Sequence, residues 1–267
     1  MTGTVVLVTG ANSGLGLATV QALAASPRGY RVLVGARTLD KAAEAVKQLS
    51  PTPSSEVSPI EVNISSDESI ARAYDTVKEK YGKIDVLINN AGANFDILHR
   101  QGQMGLREAW TQSWDTNVTG GHVLTHTFAP LLLASQDPRL IFVSSTTASL
   151  QVASGPPPSW NAAMPAGWPK PAVGIAFSAY RSSKTGLNMM MLEWARMFKQ
   201  DGVRVFGVDP GRLVTNLGRR KPDPEMAKKM GLREPSEGAD LLLQIVEGKK
   251  DADAGRVIDE NGGVMPW

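Results

Sequence analysis

Short runs of β-branched and aliphatic residues alternate along the chain with segments whose apolar positions recur at the helical period. Val5-Val6-Leu7-Val8 has no polar break, so it reads as a strand buried on both faces. The Ala- and Leu-rich stretch over 15–25 reads as the helix that follows it. The same alternation predicts strands over 31–35, 60–64, 84–88, 140–143, 203–208 and 256–259. Helices are predicted over 39–49, 67–81, 106–133, 176–199 and 237–247. Asp67 and Glu68 sit well at the positive end of the third helix.

Strand and helix in alternation from end to end imply a doubly wound α/β fold, a parallel sheet of about seven strands with helices on both faces. No Pro/Gly/Ser linker divides the 267 residues, so 1–267 reads as a single domain, although length alone leans toward two. At 42% hydrophobic and 20% charged, the chain is too apolar for disorder. Its 28 basic and 26 acidic side chains leave +2, which is no footprint for nucleic acid or an anionic membrane. Without cysteine, disulfides, thiolate metal sites and cysteine nucleophiles are excluded.

Two uncharged stretches need a reading. Residues 1–27 lack a basic residue ahead of the apolar part and are interrupted by Thr9, Gly10, Asn12, Ser13, Gly14 and Gly16, unlike a signal peptide or membrane anchor. Residues 140–169 contain Ser144, Ser145, Asn161 and five prolines, which rules out a membrane helix. A soluble, cytoplasmic protein is the expectation. His122 and His126 share a helix face, but no Glu or third His accompanies them, so no metal site is expected.

The turn after the first strand is Thr9-Gly10-Ala11-Asn12-Ser13-Gly14-Leu15-Gly16. Gly10, Gly14 and Gly16 allow a tight turn, close approach of a pyrophosphate and tight packing of helix on strand. Phosphates would then meet the free N–H groups at the helix N-terminus. The bland alternative is a structural strand-to-helix turn. At the end of the second strand an acidic residue would hold a ribose 2′-hydroxyl, and a basic one a 2′-phosphate. The sequence there is Gly35-Ala36-Arg37-Thr38, with Asp40 beyond it, so NADP is favoured over NAD.

Taken in order, TGANSGLG (9–16), Asn89-Asn90-Ala91-Gly92, Asn117, Ser144-Ser145, Tyr180-Arg181-Ser182-Ser183-Lys184 and Pro210-Gly211 with Thr215 form a pattern. The chain resembles the short-chain dehydrogenase/reductase family over its full length, and its carbonyl-reductase-like branch in particular. The resemblance implies a Rossmann-like sheet, a nicotinamide cofactor and a catalytic set of Asn117, Ser145, Tyr180 and Lys184. It implies cofactor contacts from Gly10, Asn12, Ser13, Gly14, Leu15, Gly16, Arg37, Asn63, Ile64, Asn90, Ala91, Gly92, Tyr180, Lys184, Pro210, Gly211, Val214 and Thr215. Asn63 stands where the family usually has Asp. Asn117 would anchor a water linking Lys184 to solvent.

Tyr180 and Lys184 stand four apart on one predicted helix and share a face. A tyrosine of ordinary pKa, about 10, is a sluggish acid–base group at neutral pH. A neighbouring ammonium, with the positive ring of oxidised cofactor, should lower it. Tyr180 would then exchange a proton with the oxygen of a ketone or alcohol during hydride transfer, and Ser145 or Ser144 would hold that oxygen; the family favours Ser145. Two other functions stay open: an NADP(H)-binding redox sensor or scaffold without turnover, and reduction of an imine or an isomerisation on the same fold.

Two loops bear on substrate. The insert over 151–177 holds Pro156, Pro157, Pro158, Pro165, Pro169 and Pro171 with Trp160, Trp168 and Met164, and is expected to be semi-rigid, forming an apolar wall of the pocket. The expected substrate lid, 211–233, is basic, with Arg212, Arg219, Arg220, Lys221, Lys228, Lys229 and Arg233 against Asp223 and Glu225. It reads either as a solvated face or as a surface for an anionic substrate or carrier. Tyr180 lies 35 positions beyond Ser145, a long connection for the family. That bulk, next to helices on which many relatives build a four-helix interface, predicts a monomer or a non-standard dimer. Sedimentation velocity should show no ordinary tetramer, and finding one would remove this expectation.

Overall fold

The computed structural model describes residues 3–155, 161, 163–168, 170, 177–218 and 222–267. The elements in chain order are β1 (Thr4–Val8), α1 (Gly14–Ala25), β2 (Tyr30–Ala36), α2 (Leu39–Val46), β3 (Glu56–Glu61), α3 (Asp67–Tyr81) and β4 (Val86–Asn89). Next come α4 (Asp96–Arg100), α5 (Leu106–Trp114), a π-helical turn (Asp115–Thr119), α6 (Gly120–Leu133), β5 (Arg139–Val143) and α7 (Leu150–Ser154). The last are α8 (Ser178–Met197), β6 (Arg204–Val208), α9 (Pro224–Lys229), α10 (Pro235–Val246) and β7 (Val257–Ile258).

The seven strands form one parallel sheet in the order β3-β2-β1-β4-β5-β6-β7. This is the doubly wound Rossmann-like sheet. From β1 the chain builds outward to β3, returns to lay β4 beside β1, then builds outward the other way. Loops leaving β1 and β4 therefore diverge, which opens a crevice at the carboxyl ends of the strands. Alternation along each strand fixes the two layers. Val5 and Leu7 face a core with Ile70 and Val77 of α3, Phe128 of α6 and Trp194 of α8. Val6 and Val8 face Val20 and Leu23 of α1, Ala45 of α2 and Ile245 of α10.

Most predicted elements differ from the observed ones only at their ends. Three differences have physical causes. The third strand runs over Glu56–Glu61 rather than 60–64. It is an edge strand paired only with β2, which is why it accommodates Pro59, a residue that argues against a strand reading in sequence. The buried residues Val62 and Ile64 that suggested a strand belong to the exit from it. The single helix expected over 106–133 is broken by the π-helical turn, whose extra residue rotates α6 relative to α5. Short helices α4, α7 and α9 were not expected. Among the described residues no helix is long and apolar enough to cross a membrane.

Immediately after the π turn, α6 passes close to the loop leaving β3. A Cβ on Gly120 would lie 2.4 Å from the carbonyl oxygen of Ile64, a backbone atom that cannot swing away. Gly120→Ala should therefore destabilise the fold by about 1–3 kcal/mol, despite the better helix propensity of alanine. Urea unfolding measures this, and a neutral or stabilising substitution would show that the two segments are not so tightly apposed.

Candidate active site

The residues singled out in the sequence lie where β1 to β6 end, together with α8 and the π turn. The glycine turn is built first. Gly10 and Gly14 adopt φ of +62° and +53°, where a side chain would be strained. A Cβ on Gly16 would come within 2.5 Å of Gly10 O and the Asn90 amide, so α1 begins hard against the turn. Thr9 holds the turn to the end of β4: its hydroxyl accepts from Asn90 N (3.1 Å) and Ala91 N (3.0 Å). Asn90 Nδ2 donates to Thr9 O at 2.7 Å and Gly10 O at 3.3 Å. Asn90 thus braces the cradle from behind. Thr9 was not anticipated, since one threonine ahead of a glycine motif carries no periodic signal.

The cradle fits a pyrophosphate. Ser13 is exposed, Asn12 is half-buried, and neither carries a bulky or acidic group. Ser13 stands at the N-cap position of α1 without capping it, so the first-turn N–H groups have no side-chain partner there. The methyl and Cβ of Thr215 would lie 3.3 Å from a Cβ on Gly14, which brings the start of the 211–233 segment over the turn. Val214 is buried. Pro210, Leu213 and Leu15 converge on Gly238 of α10, each within 3.0 Å of where a Cβ would stand. Gly211 adopts φ +78°, where a side chain would be strained, and lies against the Glu260 side chain.

Arg37 follows β2 directly, is exposed, and forms no ion pair among the described residues. Its neighbour Thr38 caps α2 through Lys41 N (3.4 Å). Asn63 serves its own turn, with Oδ1 accepting from Ser65 N (3.3 Å) and its N–H donating to Ser69 Oγ (3.0 Å), while Ile64 is buried.

The second half of the site is the buried face of α8. Lys184 is 4% exposed and donates from Nζ to Val143 O at 2.7 Å, the last carbonyl of β5. Burial lowers its pKa to about 8. One turn earlier, Tyr180 hydrogen-bonds Ser145 through its hydroxyl, and the Lys184 ammonium lies 5.9 Å from its ring centroid. One turn later, Asn188 accepts from Ser144 Oγ. The two adjacent serines are thereby separated: Ser145 meets the tyrosine, and Ser144 is buried on structural duty.

Among the chain's own groups the balance on the Tyr180 phenol is toward a raised pKa, whereas the expected lowering includes the charge of an oxidised cofactor. Burial pushes Tyr180 up to about 12, the hydrogen bond from Ser145 only partly offsets this, and the carboxylate of Asp209 opposes ionisation further. Asp209 is itself buried, which raises its pKa; it accepts from the Thr146 hydroxyl and from Gly211 N (3.1 Å). Tyr180 is therefore a protonated phenol throughout the neutral range.

Asn117 stands in the middle of the π turn, 3% exposed. Its Oδ1 accepts from Ala93 N (2.8 Å), and its Nδ2 donates to Ala93 O (2.9 Å) and Ser183 Oγ (2.9 Å). Both its donors are thus used within the chain. A Cβ on Gly92 would lie 3.1 Å from Asn117 Oδ1 and 3.3 Å from Lys184 Nζ, so Gly92 is the spacer between them.

The insert departs from expectation at two of its described residues. Pro156, Pro157, Pro158, Trp160, Pro169 and Pro171 lie outside the described residues, as do Arg219, Arg220 and Lys221. Trp168 is 87% exposed and Met164 is also exposed, so these two side chains do not form an apolar wall. Asn161 is anchored, accepting from Arg181 Nη1 (3.0 Å) and donating to Ala153 O (2.9 Å). Arg233 pairs with Glu237 (2.9 Å) and Glu260 (3.4 Å), while Lys228 and Lys229 close the last turn of α9. His122 stacks on Trp194, ring centroids 5.4 Å apart. Among the described residues no three or more His, Asp or Glu cluster as metal ligands would.

Residues 4–158 match the family model described as short chain dehydrogenase. The protein belongs to the short-chain dehydrogenase family. Short-chain dehydrogenase/reductase eupG of Phoma sp is 45% identical, with 98% of this chain and 97% of that relative covered. Short-chain dehydrogenase/reductase tropE of Talaromyces stipitatus is 43% identical with the same coverage. Among solved structures, NADPH-bound carbonyl reductase from chicken fatty liver superposes with a TM-score of 0.78 at 25% identity, covering all of both chains.

In this short-chain dehydrogenase, burial brings the titration of the Lys184 ammonium close to neutrality. It is protonated below about pH 8 and neutral above. The pH profile of kcat/KM, which reports the free enzyme, should hold its plateau up to that value and fall above it. Lys184→Arg, which stays charged, should lose the limb. A wild-type profile flat to pH 10 would contradict the assignment.

Proposed function

We propose that the protein is an NADPH-dependent reductase of ketones or aldehydes, running in reverse as an alcohol dehydrogenase. The observation that carries this reading is the Tyr180 phenol, protonated at neutral pH, on the Ser145 hydroxyl and one helical turn from a buried ammonium. A bound NADPH would supply the hydride. Tyr180 gives its O–H proton to the substrate oxygen while that oxygen gains charge, which converts a carbonyl to an alcohol and leaves a phenolate. Lys184 stabilises the phenolate electrostatically, an effect strengthened by the low dielectric around both groups. Ser145 donates to the same oxygen and fixes its position. Asn117 contributes indirectly, by locking Ala93 and Ser183 around the site.

Arg37 supports NADP rather than NAD. It is a fork of donors at the end of β2 with no carboxylate partner among the described residues, in a position where a 2′-phosphate would accept from it. The carbonyl reductase that superposes on the chain is described as NADPH-bound, in keeping with this. A small apolar or aromatic carbonyl compound is the substrate class proposed, since Tyr180 and Ser145 together supply the two hydroxyl donors that one carbonyl oxygen takes up.

One kinetic experiment tests both parts. With a panel of aromatic, aliphatic and quinone carbonyls, Tyr180→Phe should lower kcat by roughly 100-fold or more, the scale of a lost general acid. Arg37→Asp should weaken NADPH relative to NADH by roughly 10- to 100-fold, the scale of lost charge-assisted hydrogen bonds. Unchanged turnover in the first variant, or NADH used as well as NADPH by the wild type, would defeat the corresponding half.

A further inference from the structure

α8 starts without a cap of its own. Phe177 stands at its N-cap position with φ −103° and ψ +47° and has no oxygen to offer the first-turn amides. Those amides instead find a carboxylate from 83 residues upstream. Asp96, 7% exposed at the start of α4, accepts from Tyr180 N at 2.9 Å through Oδ2 and from Ala179 N at 3.1 Å through Oδ1. Asp96 is held in turn, because its own N–H donates to Asn94 Oδ1 (3.1 Å), and Asn94 is also buried.

Followed in the other direction, these bonds close on themselves. Tyr180 O accepts from Ser183 Oγ (2.7 Å), Ser183 Oγ accepts from Asn117 Nδ2, and the Asn117 amide grips both backbone groups of Ala93. Ala93 leads through Asn94 and Phe95 to Asp96. The backbone of Tyr180 is thus gripped at its N–H by a carboxylate and at its C=O by a hydroxyl, inside one ring of hydrogen bonds. Members of such a ring fix each other's positions, and charged acceptors make its strongest bonds.

We propose that Asp96 is a positioning residue for the reaction, acting as a long-range cap that sets where the Tyr180 hydroxyl stands relative to Ser145. The inference rests on the reductase reading of Tyr180. The glycine cradle shares no member of this ring, and Lys184 keeps its own anchor on Val143 O, so the effect falls on turnover more than on cofactor binding. Asp96→Ala removes both acceptors; Asp96→Asn keeps one oxygen and so restores part of the cap.

The experiment combines kcat, the Kd for NADPH from cofactor fluorescence, and hydrogen exchange in peptides covering 178–184. Asp96→Ala should lower kcat by about ten-fold or more with NADPH Kd within about two-fold, and speed exchange at Ala179 and Tyr180 by about ten-fold. Asp96→Asn should recover about three-fold or more of the lost kcat and fold even if the alanine variant does not. A kcat within about two-fold of wild type for Asp96→Ala, or NADPH Kd weakening in step with kcat, would overturn the proposal. If the wild type fails to reduce carbonyls with NADPH, the functional reading falls by itself. Exchange at Ala179 and Tyr180 then still decides the cap, with unchanged rates in both variants refuting it.

Discussion

A buried ammonium on a strand carbonyl fixes this site. Lys184 has been taken out of water and given a single strong acceptor, the oxygen with which β5 leaves the sheet. An ion so placed costs free energy unless its partner stays in register, and the lowered pKa reports that cost. Once Lys184 is set on Val143 O, the 3.6-residue period decides the rest. Tyr180 and Asn188 fall on the same face one turn to either side, and the next two residues after Val143 meet them. Ser144 goes to Asn188 and Ser145 to Tyr180. The serine beside the tyrosine is therefore selected by helix register against the strand end.

The segment after β4 joins this half of the site to the other. Asn90 faces backward and braces the glycine turn with Thr9. Three residues later Ala93 faces the π turn and is clamped by Asn117. Between them Gly92 leaves room for both Asn117 and Lys184. Four consecutive residues thus tie the glycine cradle to the buried face of α8 that carries Tyr180 and Lys184. The π turn has a comparable purpose: its extra residue lets Asn117 turn inward while α6 keeps its apolar face on the sheet.

The fold was legible in the sequence because it rests on period. Val5-Val6-Leu7-Val8 and the other core strands are nearly uninterrupted apolar runs, and the helices between them have one wet face. The edge strand β3 was displaced because Pro59 and its polar neighbours hide it. Tyr180, Lys184 and the glycines were legible through spacing. Asp96, Thr9 and Ser183 were not, because each acts on backbone atoms that lie far off in sequence or belong to no periodic pattern. The sole trace of Asp96 is negative: Phe177-Ser178 opens α8 with no local cap, which shows only once the helix start is known. The upward push of burial on the Tyr180 pKa is hidden from the sequence for a related reason. Spacing reveals the charge nearby, whereas the extent of burial, which dominates, is a property of the whole packed layer.

Among the described residues, Arg181 links α8 to the insert. Arg181 follows Tyr180 and points away from it, donating from Nε to Thr147 O (3.3 Å) and from Nη1 to Asn161 at the described foothold of the insert. Successive residues of a helix lie about 100° apart, so Arg181 can carry the loop while Tyr180 stays on the buried face. The neighbour of Arg181, Tyr180, is held at both its backbone N–H and its C=O. The backbone of Tyr180 is thereby fixed by Asp96 and Ser183, while Arg181 beside it carries the described contact with the insert.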